Sequence, residues 1–213
     1  RRWLPVDAYI GGAEHAVLHL LYSRFVWMAL KDWGYLEGVE SDEPFPFLFS
    51  HGLIIKDGAK MSKSQGNVVN PDEYIDRYGA DALRMYLMFV GPYSQGGDFR
   101  DTGMVGMYRF LERVWKLFQF SKKTDPQLAR KLHQTIQKVT QDISKFKYNT
   151  AIAALMELVN VWRDKAMSKD DAVSVVKLIA PLAPFIAEEL WEKLGEKGSV
   201  HLASWPEYDP EWV

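Results

Sequence analysis

The hydrophobic pattern of this 213-residue chain changes at the polar, glycine-rich stretch GPYSQGGDFRD, residues 91–101. Before this stretch, strand-like and helix-like segments alternate. After it, apolar residues recur every three or four positions, as they do along one face of a helix. Alternating strands and helices are typical of a parallel sheet, and successive amphipathic helices are typical of a bundle. The sequence therefore predicts an α/β region followed by an all-α region, with a linker between them.

The first ninety residues contain signals for two strands and three helices. Glycines end the first predicted strand, and an Asn-Pro-Asp-Glu run with Asn70 as N-cap begins the second predicted helix. Strand, helix, strand in this order favours a parallel pair. The predicted strands are residues 6–10 and 48–55, and the predicted helices are residues 14–33, 71–79 and 80–90.

The remainder of the chain reads as four long helices that form a bundle. Asp125 and Asn149 are the predicted N-caps of the second and third, and Pro181 and Pro184 are expected to bend the fourth. A weak strand signal returns only at residues 199–206, which we expect to pack across the bundle. The four predicted helices are residues 102–120, 126–146, 150–167 and 170–194.

Composition limits the class of protein. Hydrophobic residues make up 47% and charged residues 25% of the chain, which is typical of a soluble globular protein, and no run of about 18 apolar residues indicates a membrane span. The absence of cysteine excludes disulfides and thiolate metal sites and suits a reducing compartment, so we expect a cytoplasmic protein. The chain enters a strand almost at once and has no initial Met, so we expect a fragment or a split subunit.

Positive charge is concentrated in one part of the chain. Residues 109–147 contain ten basic and three acidic residues, although the whole chain carries a formal charge of -2. A solvated helix face and a phosphate-binding surface are equally good explanations. The residues that a nucleic-acid partner would contact are named here the basic set: Arg109, Arg113, Lys116, Lys122, Lys123, Arg130, Lys131 and Lys138.

The stretch IIKDGAKMSKSQGN, residues 54–67, places a basic loop between a predicted strand and a predicted helix. We call residues 60–64 (KMSKS) the lysine loop. Its two lysines could be ordinary solvated surface, and the stretch does not fit a Walker A motif. In the other interpretation, the ammonium groups of Lys60 and Lys63 neutralise a triphosphate, while the main chain of Ile54 and Ile55 contacts a base.

A second unusual stretch follows the first predicted strand. His15 and His19 are four residues apart after Gly11 and Gly12, so a continuous helix would place them on one face. The order Glu-His-x-x-x-His lacks the pattern and the third ligand of a zinc hydrolase. A buried structural pair and a small-molecule pocket at the carboxyl end of a strand remain open. We predict no protein-bound metal.

These motifs together resemble a known family. KMSKS is a signature of class I aminoacyl-tRNA synthetases, and WLPVDAYIGGAEHAVLHLLYSRF, FKYNTAIAALMELVN and LAPFIAEELWEKLG resemble the leucyl-tRNA synthetases. The resemblance runs from Trp3 to about Asp209. Valyl and isoleucyl enzymes are the alternative, but they typically carry Asp-Gln where this chain has Glu14-His15, and an Arg-Gly-Trp run where it has Leu20-Leu21-Tyr22.

The resemblance implies a fold and an activity. It implies that residues 1–66 are the second half of a Rossmann-like catalytic domain, residues 67–100 a helical connection, and residues 101–213 an anticodon-binding-type bundle. The implied reaction is the activation of leucine by ATP, accompanied by Mg²⁺, and its transfer to tRNA(Leu). The family's His-Ile-Gly-His signature is absent here, so the implied partner is an N-terminal half, without which we expect no activity.

The resemblance also implies roles for single residues. The adenosine is assigned to Gly11, Gly12, Glu14, Ile54 and Ile55, the triphosphate to Lys60 and Lys63 as catalytic groups, and the leucine pocket to His15 and His19. Met61, Ser62 and Ser64 complete the implied ATP site. The implied tRNA contacts are the basic set. A non-catalytic RNA-binding module and a subunit of a two-chain synthetase are the alternative functions.

Overall fold

The computed structural model describes residues 3–118 and 120–213, so Arg1, Arg2 and Gln119, the last inside the predicted helix 102–120, lie outside the described residues. The chain forms two compact units. One contains the described residues up to Leu53 together with Ser94–Gly96, and the other contains Ile54–Tyr93 and Gly97–Val213. No helix formed by residues 3–118 and 120–213 has both the length and the apolar character that crossing a membrane requires.

In the first unit, two short strands pair in parallel. They are β1, Tyr9–Gly11, and β2, Leu48–Ser50, with Ile10 opposite Phe49. The helix α1, His19–Asp32, lies between them in the chain and confirms the predicted strand–helix–strand order. This helix begins later than predicted, because residues Ala13–Ala16 form a separate 3₁₀ turn.

The predicted strand 48–55 is in fact two strands. After β2 the chain bends and continues as β3, Leu53–Lys56. The break has a steric reason at Gly52, where a Cβ atom would lie 2.0 Å from the carbonyl carbon of Gln95. Two backbones therefore pass each other at a distance that only glycine permits.

A hairpin carries the chain into the lysine loop. The strand β3 pairs antiparallel with β4, Ala59–Lys60, through a two-residue turn in which Asp57 and Gly58 have φ values of 55° and 74°. Positive φ at both central residues is the geometry that tight hairpins prefer. The strand β5, Gly96–Phe99, completes a sheet of order β4-β3-β5, so the predicted linker 91–101 contains a strand.

The second unit is mainly helical, as predicted, but the last predicted helix is two helices. Pro184 lies in the first turn of α8, where its missing N–H costs nothing, whereas proline inside a helix removes a hydrogen bond. The helices are α2 Pro71–Tyr78, α3 Ala80–Phe89, α4 Asp101–Lys116, α5 Pro126–Ile143, α6 Tyr148–Trp162, α7 Lys169–Ile179 and α8 Pro184–Lys193.

Two of the three predicted helix caps are confirmed. The Asn70 side chain accepts a hydrogen bond from the backbone N–H of Asp72, and Asp125 accepts from Gln127 at 2.9 Å. The prediction for Asn149 is wrong, because α6 already begins at Tyr148. Phe146, two residues before the first residue of α6, adopts a φ of 56° in the turn that precedes the helix, and Lys147 is the N-cap residue.

The apolar stripe of α4 and α5 is buried as the spacing predicted. Val114, Leu128, Leu132, Ile136 and Val139 are buried, and Leu117 and Ile143 are partly buried against the same core. The members of the basic set in α4 and α5 lie on the remaining faces of these helices, whereas Lys122 and Lys123 lie in the segment that connects the two helices.

The C-terminal tail packs on the bundle as predicted, although it is not a strand. Residues Val200–Leu202 form a 3₁₀ turn. The Trp205 indole N–H donates to Thr140 Oγ1 of α5 at 2.8 Å, and the backbone N–H of Asp209 donates to His133 Nδ1 at 3.0 Å.

A buried carboxylate joins two distant helices of the second unit. Asp81 in α3 is 7% exposed and accepts the backbone N–H groups of Phe185 and Ile186, at 3.4 and 2.7 Å, in the first turn of α8. Burial raises the pKa of this carboxyl, and the two N–H groups act in the opposite direction. Ala183, the N-cap residue, supplies no side-chain cap of its own, so Asp81 caps α8 from a distant part of the chain.

Asp81→Ala is expected to destabilise the chain by about 2 kcal/mol, because two N–H groups of α8 lose their acceptor in a buried place. Urea unfolding monitored by circular dichroism measures the change. Asp76→Ala is the matched control, since Asp76 is an exposed residue of the neighbouring helix α2. Equal unfolding free energies for the two variants would contradict the capping role.

Candidate functional site

The strand β1 ends at Gly11, and Gly12 follows it. We call these two residues the glycine turn. Gly12 is buried, and its carbonyl accepts the backbone N–H of His15 at 3.1 Å at the start of the 3₁₀ turn. A Cβ atom on Gly12 would lie 2.3 Å from Glu14 Oε2. The carboxylate of Glu14 thus folds back over the glycine, and a side chain at position 12 would displace it.

His15 and His19 do not share a helix, contrary to the spacing argument. His15 lies in the 3₁₀ turn and His19 begins α1, and between them Leu18 has a ψ of -102°, outside the helical range. The Nδ1 atom of His15 is buried and has no hydrogen-bond partner among the residues that the structure describes. A buried polar atom in this state is unfavourable unless a ligand or water satisfies it.

Tyr9 brings the two histidines together by a different route. Its ring stacks on His19 at a centroid distance of 5.5 Å and meets the His15 ring edge-on at 6.3 Å. The Nδ1 atom of His19 lies 3.0 Å from the Tyr9 hydroxyl, and its Nε2 atom lies 3.2 Å from Ser23 Oγ. Sequence reasoning missed Tyr9, although its position two residues before Gly11 places both on the same face of β1.

The lysine loop follows β4 and keeps its charged groups exposed. Lys60 and Lys63 make no ion pair or side-chain hydrogen bond with any described residue, whereas Met61 packs against the core of the second unit. The hydroxyls of Ser62 and Ser64 are 2.7 Å apart. The loop therefore presents two uncompensated ammonium groups on a backbone that is anchored by an apolar side chain.

A third lysine of this region is already occupied. Lys56 Nζ lies 3.3 Å from Asp101 Oδ2 and 5.2 Å from the centre of the Phe99 ring. The Tyr74 hydroxyl donates to Asp101, and this bond, with Lys56, lowers the pKa of Asp101. Burial and the same bond raise the pKa of Tyr74 to about 12. Lys56 therefore stabilises the start of α4 and is unavailable to a ligand.

Ile54 and Ile55 lie in β3 and are half-buried, so their side chains contribute to packing while the strand leads toward the lysine loop. Asn67, which sequence reasoning also missed, lies just after the loop and hydrogen-bonds to its backbone. The signal in the sequence was the Gly66-Asn67 pair that ends the loop. The glycine turn belongs to the first unit and the lysine loop to the second.

Two members of the basic set are neutralised by acidic residues within the chain, and six make no ion pair among the residues that the structure describes. Lys131 Nζ lies 2.6 Å from Glu157 Oε2, and Lys138 pairs with the buried carboxylate of Asp142. The six that make no ion pair with a described residue are exposed: Arg109, Arg113, Lys116, Lys122, Lys123 and Arg130. Exposed and uncompensated charges of this kind can contact phosphates.

Two family models match the chain. The model described as tRNA synthetases class I (I, L, M and V) matches residues 21–100. The model described as the anticodon-binding domain of tRNA ligase matches residues 125–212. The first match includes the lysine loop, and the second begins at the N-cap of α5.

Curated proteins similar to this chain include leucine–tRNA ligases. That of Pseudothermotoga lettingae is 50% identical over 98% of this chain, and that of Thermotoga maritima is 47% identical over 98%. In both, the match covers 28% of the relative's own length. The chain therefore spans a little more than a quarter of these relatives.

Solved structures similar to this chain include an Agrobacterium radiobacter K84 LeuRS in a ternary complex with tRNA and LeuAMS. The likeness has a TM-score of 0.85 and 36% identity, and covers 98% of this chain and 30% of that one. Methionyl-tRNA synthetase of Mycobacterium tuberculosis in complex with methionyl-adenylate has a TM-score of 0.65 at 22% identity, over 92% of this chain and 46% of that one. This second likeness concerns the fold alone.

Proposed function

Because this chain belongs to the leucyl-tRNA synthetase family of class I aminoacyl-tRNA synthetases, we propose that it is part of an enzyme that activates leucine with ATP and transfers it to tRNA(Leu). The observation that carries the proposal is the lysine loop. Lys60 ends the second strand of a tight hairpin and Lys63 lies three residues later; both are exposed and have no acidic partner among the described residues. Two such ammonium groups suit a highly charged phosphate ligand.

The chemistry of activation explains why these charges matter. The carboxylate of leucine attacks the α-phosphorus of ATP, the bond between the α- and β-phosphates breaks, and pyrophosphate leaves. Negative charge builds on the departing phosphates, and Lys60 and Lys63 are proposed to stabilise it there. Mg²⁺ is expected to arrive with ATP as part of the substrate, and we assign no protein ligand to it.

The glycine turn is proposed to hold the adenosine. Gly12 allows the Glu14 carboxylate to lie directly against the backbone, and this carboxylate can accept hydrogen bonds from ribose hydroxyls. His15 and His19 are proposed to line the leucine pocket. The unpartnered Nδ1 atom of His15 and the packing of His19 on Tyr9 support this assignment.

Leucine-dependent exchange of pyrophosphate into ATP, followed by charging of tRNA(Leu), tests the proposal in a complete synthetase that carries this segment. Exchange that depends on leucine supports it. Exchange that depends on valine or isoleucine instead would reassign the substrate. An RNA-binding module without catalytic function would show tRNA binding and no exchange with any amino acid.

The six uncompensated members of the basic set are proposed to contact tRNA phosphates. Replacing Lys122, Lys123 and Arg130 together by Ala should weaken tRNA binding and lower the slope of log K against log salt by roughly 2 to 3, because each phosphate contact releases counterions. Filter binding of the chain to tRNA(Leu) at several salt concentrations measures the slope.

Lys131→Ala is the control for this prediction, because Lys131 follows Arg130 directly but pairs with Glu157. It should change the slope far less than the triple substitution. If the triple variant keeps the original slope, these residues are ordinary solvated surface. For the location of the complete protein in the cell, the cytoplasm remains our prediction.

A further inference from the structure

The side chain of Asn67 is fully engaged with the backbone of the segment that leads into the lysine loop. Its Oδ1 atom accepts the N–H of Ser62 at 2.8 Å. Its Nδ2 atom donates to the carbonyl oxygens of Lys60 at 3.3 Å and of Lys56 at 3.4 Å. An Asn side chain has two N–H donors and one carbonyl acceptor, and all of them are used here. The partners also decide the amide orientation, since a carbonyl can only accept and an N–H can only donate.

The geometry imitates a neighbouring strand. In an extended chain, the carbonyl of one residue and the N–H two residues later point to the same side, where a paired strand would meet them. The carbonyl of Lys60 and the N–H of Ser62 are such a pair, and Ser62 is extended with φ -149° and ψ 137°. The amide of Asn67 thus continues the pairing of β4 beyond the end of the hairpin.

The intervening turn allows Asn67 to return to the segment it holds. Residues Lys63–Gln65 form one 3₁₀ turn, and Gly66 reverses the chain with a left-handed φ of 67°. Gly66 is exposed, and a Cβ atom there would meet nothing within 4 Å, so the backbone conformation and not the available space favours glycine. Asn67 itself is half-buried.

The backbone of the lysine loop is therefore held in place, whereas its lysine side chains are not. Met61 packs on the core, and Asn67 holds the polar groups on either side of it. The ammonium groups of Lys60 and Lys63 have no ion-pair partner in residues 3–118 and 120–213. This is the arrangement of a preorganised site, in which the scaffold is held before the ligand arrives.

We propose that Asn67 is a positioning residue, which holds the backbone from Lys60 to Ser62 so that Lys60 and Lys63 meet the phosphates of a nucleoside triphosphate in a fixed geometry. This inference rests on the proposed function, because the position of the loop matters only if its lysines bind phosphate. Asn67 acts through the two lysines and does not itself contact the ligand.

Asn67→Ala in the complete synthetase should lower kcat for leucine-dependent pyrophosphate exchange roughly 10- to 100-fold, since small misplacements of charged groups cost that much. The KM for leucine should change little. Asn70→Ala is the matched control: it also removes an Asn hydrogen bond to backbone, but at the start of α2. It should reduce thermal stability to a similar extent and leave kcat near the original value.

Combining Asn67→Ala with substitution of both loop lysines distinguishes a positioning role of Asn67 from a general structural role. If Asn67 acts through the loop lysines, Asn67→Ala should have little further effect on kcat in a Lys60→Ala, Lys63→Ala background. A full additional loss in that background would overturn the inference. Equal kcat values for the Asn67→Ala and Asn70→Ala enzymes would overturn it as well.

A second variant keeps the test informative if the Asn67→Ala enzyme misfolds. Asn67→Asp keeps the size and the acceptor for Ser62, but sets a carboxylate oxygen against two carbonyl oxygens, so it should also lower kcat. Amide hydrogen exchange at Ser62 should accelerate in the Asn67→Ala variant, which loses the acceptor of the Ser62 N–H, and this measurement does not depend on activity. If the Lys63→Ala enzyme keeps full activity, the proposed function of the loop fails; if it loses activity while both Asn67 variants keep theirs, only the inference about Asn67 fails.

Discussion

Lys63→Ala, in the complete synthetase that carries this segment, is expected to lower kcat for leucine activation by about 10²- to 10³-fold, with little change in the KM for leucine. Lys63 is exposed at the start of a 3₁₀ turn and has no acidic partner among the described residues. Its charge is therefore available to the phosphates, and it matters most when negative charge builds during the attack on phosphorus. Pyrophosphate exchange at varied leucine and ATP concentrations measures both constants.

Two comparisons make this result specific. Lys197→Ala removes another exposed lysine of the second unit and should leave kcat and KM unchanged. His19→Ala should act mainly through the KM for leucine, because His19 packs on Tyr9 and is proposed to line the leucine pocket. If Lys63→Ala and His19→Ala altered both constants equally, the separate roles would be wrong.

The second large effect concerns the chain on its own, which is expected to show no leucine-dependent pyrophosphate exchange above background. The match to the curated relatives covers only 28% of their length. The first unit also exposes much apolar surface along α1. Its parallel sheet has two strands, which is fewer than usual, and parallel sheets normally have both faces covered. The exposed apolar residues of α1 are Leu21, Tyr22, Phe25, Val26 and Met28.

Adding the remainder of the synthetase as a separate polypeptide is the companion experiment. Recovery of exchange in the mixture would support a partner that covers α1 and completes the catalytic site. Phe25→Ser should reduce this recovery, because Phe25 is 72% exposed in the described structure. Robust exchange by the purified chain alone would show that the glycine turn and the lysine loop suffice.

The local sequence predicted helices and their ends well where a single mechanism operates. Asn70-Pro71 and Asp125-Pro126 combine a capping side chain with a proline at the first helical position, and both helices begin there. The apolar spacing of α4 and α5 likewise predicted which residues are buried. These features depend on neighbours three or four residues away, so the sequence alone contains the information.

The predictions were wrong where contacts between residues distant in sequence determine the conformation of the backbone. The strand 48–55 is broken because Gly52 lies against the backbone of Gln95, forty-three residues later. The cap of α8 comes from Asp81, which no local pattern around Ala183 indicates. Residues 91–101 were predicted to be a linker, but they contain β5, because this segment pairs with β3.

The lysine loop shows both kinds of information in one place. Its residue types allowed two interpretations, an ordinary solvated surface or two ammonium groups that neutralise a triphosphate, and the local sequence did not decide between them. Which charges remain available was decided by folding. Lys56 is paired with Asp101, whereas Lys60 and Lys63 form no ion pair with any residue that the structure describes.

The same division holds for the basic set and for the histidines. The concentration of positive charge is a property of composition, but only the packing of α5 against α6 pairs Lys131 with Glu157 and leaves Arg130 exposed. The spacing of His15 and His19 placed them near each other, but the ring of Tyr9 and not a common helix joins them. Residue chemistry and short-range spacing belong to the sequence, whereas ion pairing and burial depend on which distant segments the fold brings into contact.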